Sequence, residues 1–156
     1  AMEARGKIWL DAGPDRIWLA MTDPEVLRVC VPGCRQVWRA GPHDYRFELS
    51  GRWGVVHGAF RVQVTIHDLE PADADIPRRY TLSARGEGPL GFAKGGSNIE
   101  LAPSAGGTYL IYDAAGDPDS RLGKLGRPLL RRVADTMSEK FFRRFANALN
   151  ATSGAT

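Results

Sequence analysis

Along most of the chain apolar residues recur at every second position, and towards the C-terminus the spacing widens to three and four over a long run. There Leu122, Leu125, Leu129, Val133, Met137, Phe141 and Phe145 form one stripe, broadened by Leu130, Ala134 and Leu149. This is the period of a helix with a wide apolar face, expected over about Leu122 to Leu149. Arg132, Asp135, Glu139, Arg143 and Asn147 fall on the opposite face, spaced so that Arg132–Asp135 and Glu139–Arg143 can pair along the surface. Pro128 lacks a backbone donor and disfavours helical geometry at Arg127. The helix therefore starts at Pro128, or a short helical turn from about Leu122 is kinked into it.

Six segments upstream carry the two-residue period. Arg35 to Ala40 is the first, followed by a turn at 40–44. Tyr45, Phe47, Leu49, Gly51, Trp53 and Val55 then alternate with Arg46, Glu48, Ser50 and Arg52. After a bend at Gly54 to Gly58, Phe60, Val62, Val64 and Ile66 alternate with Arg61, Gln63, Thr65 and His67. Tyr80, Leu82 and Ala84 lead into a glycine-rich hairpin. Ser97, Ile99 and Leu101, then Leu110, Tyr112 and Ala114, complete the set. Such alternation predicts antiparallel strands with one buried and one wet face.

Nearer the N-terminus Lys7 to Ala12 alternates as an edge strand. Pro14 to Met21 reads as a short helix with proline in its first turn, and Ile17, Trp18 and Met21 share a face. Asp23-Pro24-Glu25 starts a second short helix through about Val29. Val31-Pro32-Gly33 ends it, the glycine supplying an unusual backbone angle. The predicted fold class is α+β: a curved antiparallel seven-stranded sheet wrapped on a long C-terminal helix, with two short helices after the first strand. Residues 1–150 are expected to form one domain and 151–156 a disordered tail.

Composition adds limits. A length of 156 residues suits a single domain, and 43% hydrophobic with 25% charged residues is ordinary for a globule. The net charge is +3, and the cluster Arg131, Arg132, Lys140, Arg143 and Arg144 reads as a solvated helix face. No apolar run approaches the roughly 20 residues of a membrane span, and the N-terminus shows no apolar signal core, so the expected location is cytoplasmic. Cys30 and Cys34 stand in a C-x-x-x-C spacing. Zinc would need two more ligands, and His43, His57 and His67 have no matching spacing, so no metal site is expected. The two thiols read as packing a corner, with a redox pair as the alternative. Trp9, Trp18, Trp38 and Trp53 lie in different elements without a shared stripe, which argues against nucleic acid.

Strand parity selects the side chains that face the helix. The ligand-binding candidates are Phe47, Trp53, Tyr80, Ser97 and Tyr112 from the sheet, with Leu130, Val133, Met137 and Phe141 from the helix. An apolar, aromatic-lined space with a few hydroxyls has the character of a ligand pocket, although each residue could equally be core filling. Asp11, Glu48, Glu100 and Asp113 fall on the outward parity, as do His57 and His67, while His43 sits in a turn. No catalytic residue is expected, because general acid–base work needs a titratable pair within reach. Lys94 marks either a cavity mouth or a solvated loop.

The stretch Asp23 to Cys34 reads DPEVLRVCVPGC. It resembles the CoxG-like family, that of the G subunit of carbon monoxide dehydrogenase, and the similarity continues through Gly91-Phe92-Ala93-Lys94-Gly95, Gly107-Thr108-x-Leu110-x-Tyr112-Asp113, Leu122-Gly123-Lys124-Leu125-Gly126 and Phe141-Phe142-x-x-Phe145. The resemblance implies the helix-grip fold of the START-like (SRPBCC, Bet v 1-like) superfamily. It also implies a non-catalytic module accessory to the maturation or membrane recruitment of a molybdenum-containing dehydrogenase, with a quinone or lipid-like molecule between sheet and helix. No covalently bound cofactor is implied, and any membrane contact would be peripheral, at the inner face. Two other readings stay open: a cyclase- or dehydratase-like enzyme on the same fold, and a ligand-free protein-interaction module.

Overall fold

In a computed structural model the described residues are 3–53, 56–117, 120–123 and 126–154. The first strand, β1 (Glu3–Leu10), is followed by α1 (Pro14–Met21) and α2 (Pro24–Cys30). Six strands come next: β2 (Cys34–Gly41), β3 (Asp44–Trp53), β4 (Val56–Glu70), β5 (Arg79–Gly88), β6 (Gly91–Ser104) and β7 (Gly107–Gly116). A two-residue strand β8 (Arg121–Leu122) precedes the long helix α3 (Gly126–Gly154). The sheet runs β1-β7-β6-β5-β4-β3-β2, antiparallel at every pairing, with β8 attached to the start of β6. The expected fold class holds, with β8 as an eighth strand off the main path.

Local chemistry sets the boundaries. Proline stands in the first turn of both short helices, and the Asp23 carboxylate accepts a hydrogen bond from the Glu25 N–H at 2.9 Å, capping α2. Gly33 takes a φ of 76°, the left-handed angle that ends the corner before β2. β1 lies at an edge of the sheet, as its sequence suggested. Tyr45, Phe47, Leu49 and Ile66 are buried towards α3, whereas Arg61 and Glu48 are exposed, so the parity of β3 and β4 is as expected.

Several boundaries differ from the sequence expectation. Leu122 belongs to β8, paired with Gly91, and is no part of a helical turn; Leu125 lies outside the described residues. α3 begins at Gly126, and Pro128 falls in its first turn, where a missing donor leaves no hydrogen bond unmade. Gly126 is required where β8 meets α3, since a Cβ there would lie 2.8 Å from that of Leu122. The glycine-rich stretch 86–96 is strand almost throughout, with only Pro89 and Leu90 in the turn. The expected bend at 54–58 is tighter, because Trp53 already pairs with Val56; Gly54 and Val55 are outside the described residues. α3 continues to Gly154, into the stretch expected as a tail.

α3 buries Val133, Phe145 and Leu149, and Phe145 is fully enclosed with Ile17, Leu27 and Cys30 in the core. Arg16 of α1 donates to the Leu149 carbonyl at 2.6 Å, tying the two helices together. The polar face of α3 is exposed at Arg132, Asp135, Glu139, Arg143 and Asn147. Among the described residues the side-chain ion pairs lie elsewhere, so the expected pairs along α3 do not form. No helix among the described residues is long and apolar enough to cross a membrane.

Candidate functional site

Between the inner face of the sheet and α3 lie two adjoining apolar chambers. One, of about 400 Å³, sits beneath the β5–β6 turn and the first turns of α3. Leu49, Phe60, Val62 and Ala84 line it from the sheet, Leu90 and Leu122 from the turn and β8, and Leu130, Val133 and Ala134 from the helix. The other, of about 350 Å³, lies towards α1 and α2. It is bordered by Trp18, Met21, Tyr45, Tyr80, Ser97 and Tyr112, with Ser138, Phe141 and Phe142 from α3. Phe47, Val64, Met137 and Val31 line both. Each volume falls in the range of small-molecule pockets.

Eight of the nine expected residues line these chambers. Leu130 and Val133 face the first, Tyr80, Ser97, Tyr112 and Phe141 the second, and Phe47 and Met137 both. The side chain of Trp53 is outside the described residues. Several lining residues were not named as candidates from the sequence. Leu90 and Leu122 reach the first chamber because β8 folds back on β6, and no periodic pattern marks a two-residue strand. Trp18 and Met21 share a helix face in the sequence, but only the packing of α1 against the sheet brings them to the second chamber.

Glycines shape the walls. Gly6 faces Tyr112 across β1 and β7, and a Cβ there would run into the tyrosine ring. The ring instead leans over β1 and stacks on Phe142 at 5.5 Å. Gly88 plays the same part for Phe60 near the β5–β6 turn.

Polar groups are few. Glu87 is the one charged residue bordering the first chamber, and no charged residue borders the second, among the described residues. The Tyr45 hydroxyl donates to the Thr22 carbonyl at 2.8 Å and accepts from Arg39 at 2.8 Å. Ser97 donates to the Asp113 carbonyl at 2.5 Å. Tyr80, packed edge-on against Trp18 at 5.0 Å, is 3% exposed, and its hydroxyl meets no protein partner. Burial pushes its phenol well above the usual tyrosine range, so it stays protonated.

The outer face is different in character. Its broad depression, about 1170 Å³, is bordered by polar and charged groups, among them the pairs Arg79–Glu100 at 3.2 Å and Asn98–Asp113 at 3.1 Å. His67 lies on this face, between Asp68 at 3.0 Å and Ser83 at 2.6 Å, and His43 and His57 are exposed. Lys94 is exposed, its ammonium 5.7 Å from the Phe92 ring centre, and it does not line either inner chamber. Cys30 and Cys34 are free thiols at the corner between α2 and β2, and burial raises the pKa of both. Among the described residues no three His, Cys, Asp or Glu side chains gather as a metal-ligand set.

An open antiparallel sheet gripping one long C-terminal helix defines the START-like fold. A START superfamily protein from Mycobacterium smegmatis superposes with a TM-score of 0.72 at 12% identity, covering 97% of this chain and 99% of its own. A conserved protein from Geobacillus kaustophilus superposes with a TM-score of 0.82 at 24% identity over 97% of both chains. A protein from Chromobacterium violaceum gives 0.70 at 17% identity, covering 96% and 98%. Comparison with curated proteins gives no significant match. Residues 6–150 match the model of the CoxG family, that of the G subunit of carbon monoxide dehydrogenase, and the chain belongs to that family.

Proposed function

We propose that the chain is a non-catalytic binding module that holds an apolar small molecule, a quinone or a lipid-like compound, between its sheet and α3. In this reading it serves as an accessory to a molybdenum-containing hydroxylase, in maturation or in recruitment to the inner face of the membrane. The observation that carries it is the pair of adjoining chambers walled almost wholly by aliphatic and aromatic side chains. Membership of the CoxG family supports the accessory role. The cyclase- or dehydratase-like alternative has less support. Its chemistry needs a general acid or base at the substrate, and apart from the tyrosines Glu87 is the one acid or base among the described lining residues.

Native mass spectrometry of the purified protein, with solvent extraction of whatever travels with it, tests the reading. A bound quinone or other apolar molecule, displaced in Met137→Trp, is the expected result. A protein that carries nothing and ignores a panel of quinones and neutral lipids would overturn it and leave the protein-interaction reading standing.

A further inference from the structure

In the stretch Gly91-Phe92-Ala93-Lys94-Gly95, Gly91 and Ala93 line the inner chamber, while Phe92 and Lys94 border a depression on the outer face of the sheet. There Lys94 stands directly opposite Arg85 of β5, and Phe92 opposite Arg121 of β8. The Arg85 guanidinium and the Lys94 ammonium converge on one ring, 5.4 Å and 5.7 Å from the centre of Phe92. Like charges placed opposite each other across a strand pair destabilise a sheet. The ring attracts each cation but carries no net charge to neutralise them. Among the described residues no carboxylate lies within ion-pair distance of Arg85, Lys94 or Arg121. Glu87 borders the depression but stands opposite Arg61 of β4. Asp117, whose N–H donates to the Lys94 carbonyl, is half-buried and does not border it. The depression, about 660 Å³, therefore gathers three cations against one carboxylate, an excess of two positive charges that a dianion would neutralise. Two guanidinium forks and an ammonium, arriving from three strands, suit the several oxygens of a phosphate better than the two of a carboxylate.

We propose that this depression is an anion site for a phosphate monoester, held by Arg85, Lys94 and Arg121 beside the Phe92 ring. A soluble phosphate ester and the head of an anionic lipid both present that group, and the three cations would meet it in the same way. The inference is independent of the ligand held between sheet and α3, because these side chains lie on the other face of the sheet. It would stand if the inner chambers proved empty.

Glycerol 3-phosphate probes the soluble form, with glycerol as its uncharged control. Phosphatidylcholine vesicles with and without phosphatidic acid probe the lipid form. Calorimetric titration and vesicle co-sedimentation, both at low salt, are applied to wild type, Arg85→Gln, Lys94→Gln and Arg121→Gln. Arg79→Gln is the control, since Arg79 lies on the same face of the sheet, paired with Glu100, and its loss removes an equal charge outside the site. All four positions are exposed, so the fold should survive each change. Each substitution within the site should weaken phosphate binding about three- to tenfold, and Arg79→Gln less than about twofold. Added salt should weaken it further, as expected for exposed charges. Binding of glycerol 3-phosphate but not of vesicles assigns the site to a soluble ester; sedimentation only with phosphatidic acid assigns it to a lipid head. Binding of neither form, or binding that the three substitutions weaken no more than Arg79→Gln does, overturns the proposal.

Discussion

Phe47 of β3 and Met137 of α3 face the same junction from opposite sides: each lines both chambers, so together they form the partition of the cavity. Val64 and Val31 complete the partition, and every one of its side chains is apolar. A ligand longer than one chamber must pass between them, and methionine, unbranched and flexible, is suited to giving way.

Replacing Met137 by tryptophan should block that passage. Excluding even two methylenes of a long ligand costs about 1.6 kcal/mol, roughly a tenfold loss of affinity. Short ligands that fit one chamber should bind Met137→Trp nearly as well as wild type. The indole should cost about 1–3 kcal/mol of stability as overpacking, so circular dichroism must first show a folded variant. Equal losses for short and long ligands in a titration series would mean the chambers do not communicate.

Asp23 caps α2 through its 2.9 Å hydrogen bond from Glu25, at the start of the DPEVLRVCVPGC stretch. Asp23→Ala should lower stability by about 1 kcal/mol, and Asp23→Asn should recover most of it. Chemical denaturation of the three proteins reads this directly. Ligand affinity should be unaltered in both variants, since Asp23 borders neither chamber. A loss of binding in Asp23→Ala without a loss of stability would give the motif a role beyond folding.

Much of this was legible in the chain because strand alternation is a local signal. Phe47 and Tyr80 had to face inwards once Arg46 and Thr81 were placed outwards, and Pro24 after Asp23 announced the start of α2. The misreadings have physical causes too. Leu122 lies at a helical spacing from Leu129 and Leu130, yet its backbone is captured by Gly91 in a two-residue ladder too short to leave a pattern. The glycine-rich hairpin was expected, but its strands reach further into it than glycine's weak strand preference suggested, pairing through Gly86, Gly88, Gly91, Gly95 and Gly96. The division into two chambers depends on Phe47 and Met137 approaching from elements far apart in the chain. The unpaired Tyr80 hydroxyl depends on how several elements pack around it, and neither fact is written in the spacing of one segment.

Burial holds the thiols of Cys30 and Cys34 protonated beyond the pH at which a free cysteine ionises, near 8.5. Above that pH the unfolded chain binds fewer protons than the folded one, so stability must fall as pH rises. The contribution is complete below about pH 8.5 and is lost as pH climbs through the raised folded values. Thermal unfolding between pH 7 and 10 should show this decline, and the double variant Cys30→Ala, Cys34→Ala should decline less steeply. Parallel curves for the two proteins would remove the cysteines as its source. The buried Cys30 should likewise resist alkylation at neutral pH far better than the same residue in urea.

Gly88 and Phe60 decide the wall beneath the β5–β6 turn. The phenyl ring lies where a Cβ on Gly88 would stand, and it lines the first chamber from that position. Gly88 does not take a left-handed φ, so the demand for glycine there is steric, and the Phe60 ring stands nearest. Gly88→Ala should drive the ring out of its place, at about 1–3 kcal/mol of stability, and either crowd the chamber or uncover it. Ligand affinity should change in step. Adding Phe60→Leu, which withdraws the ring, should return much of the stability lost in Gly88→Ala, so the two substitutions together should cost less than the sum of their separate effects. Denaturation of the single and double variants forms a closed cycle, and strict additivity would show that this pair does not shape the chamber.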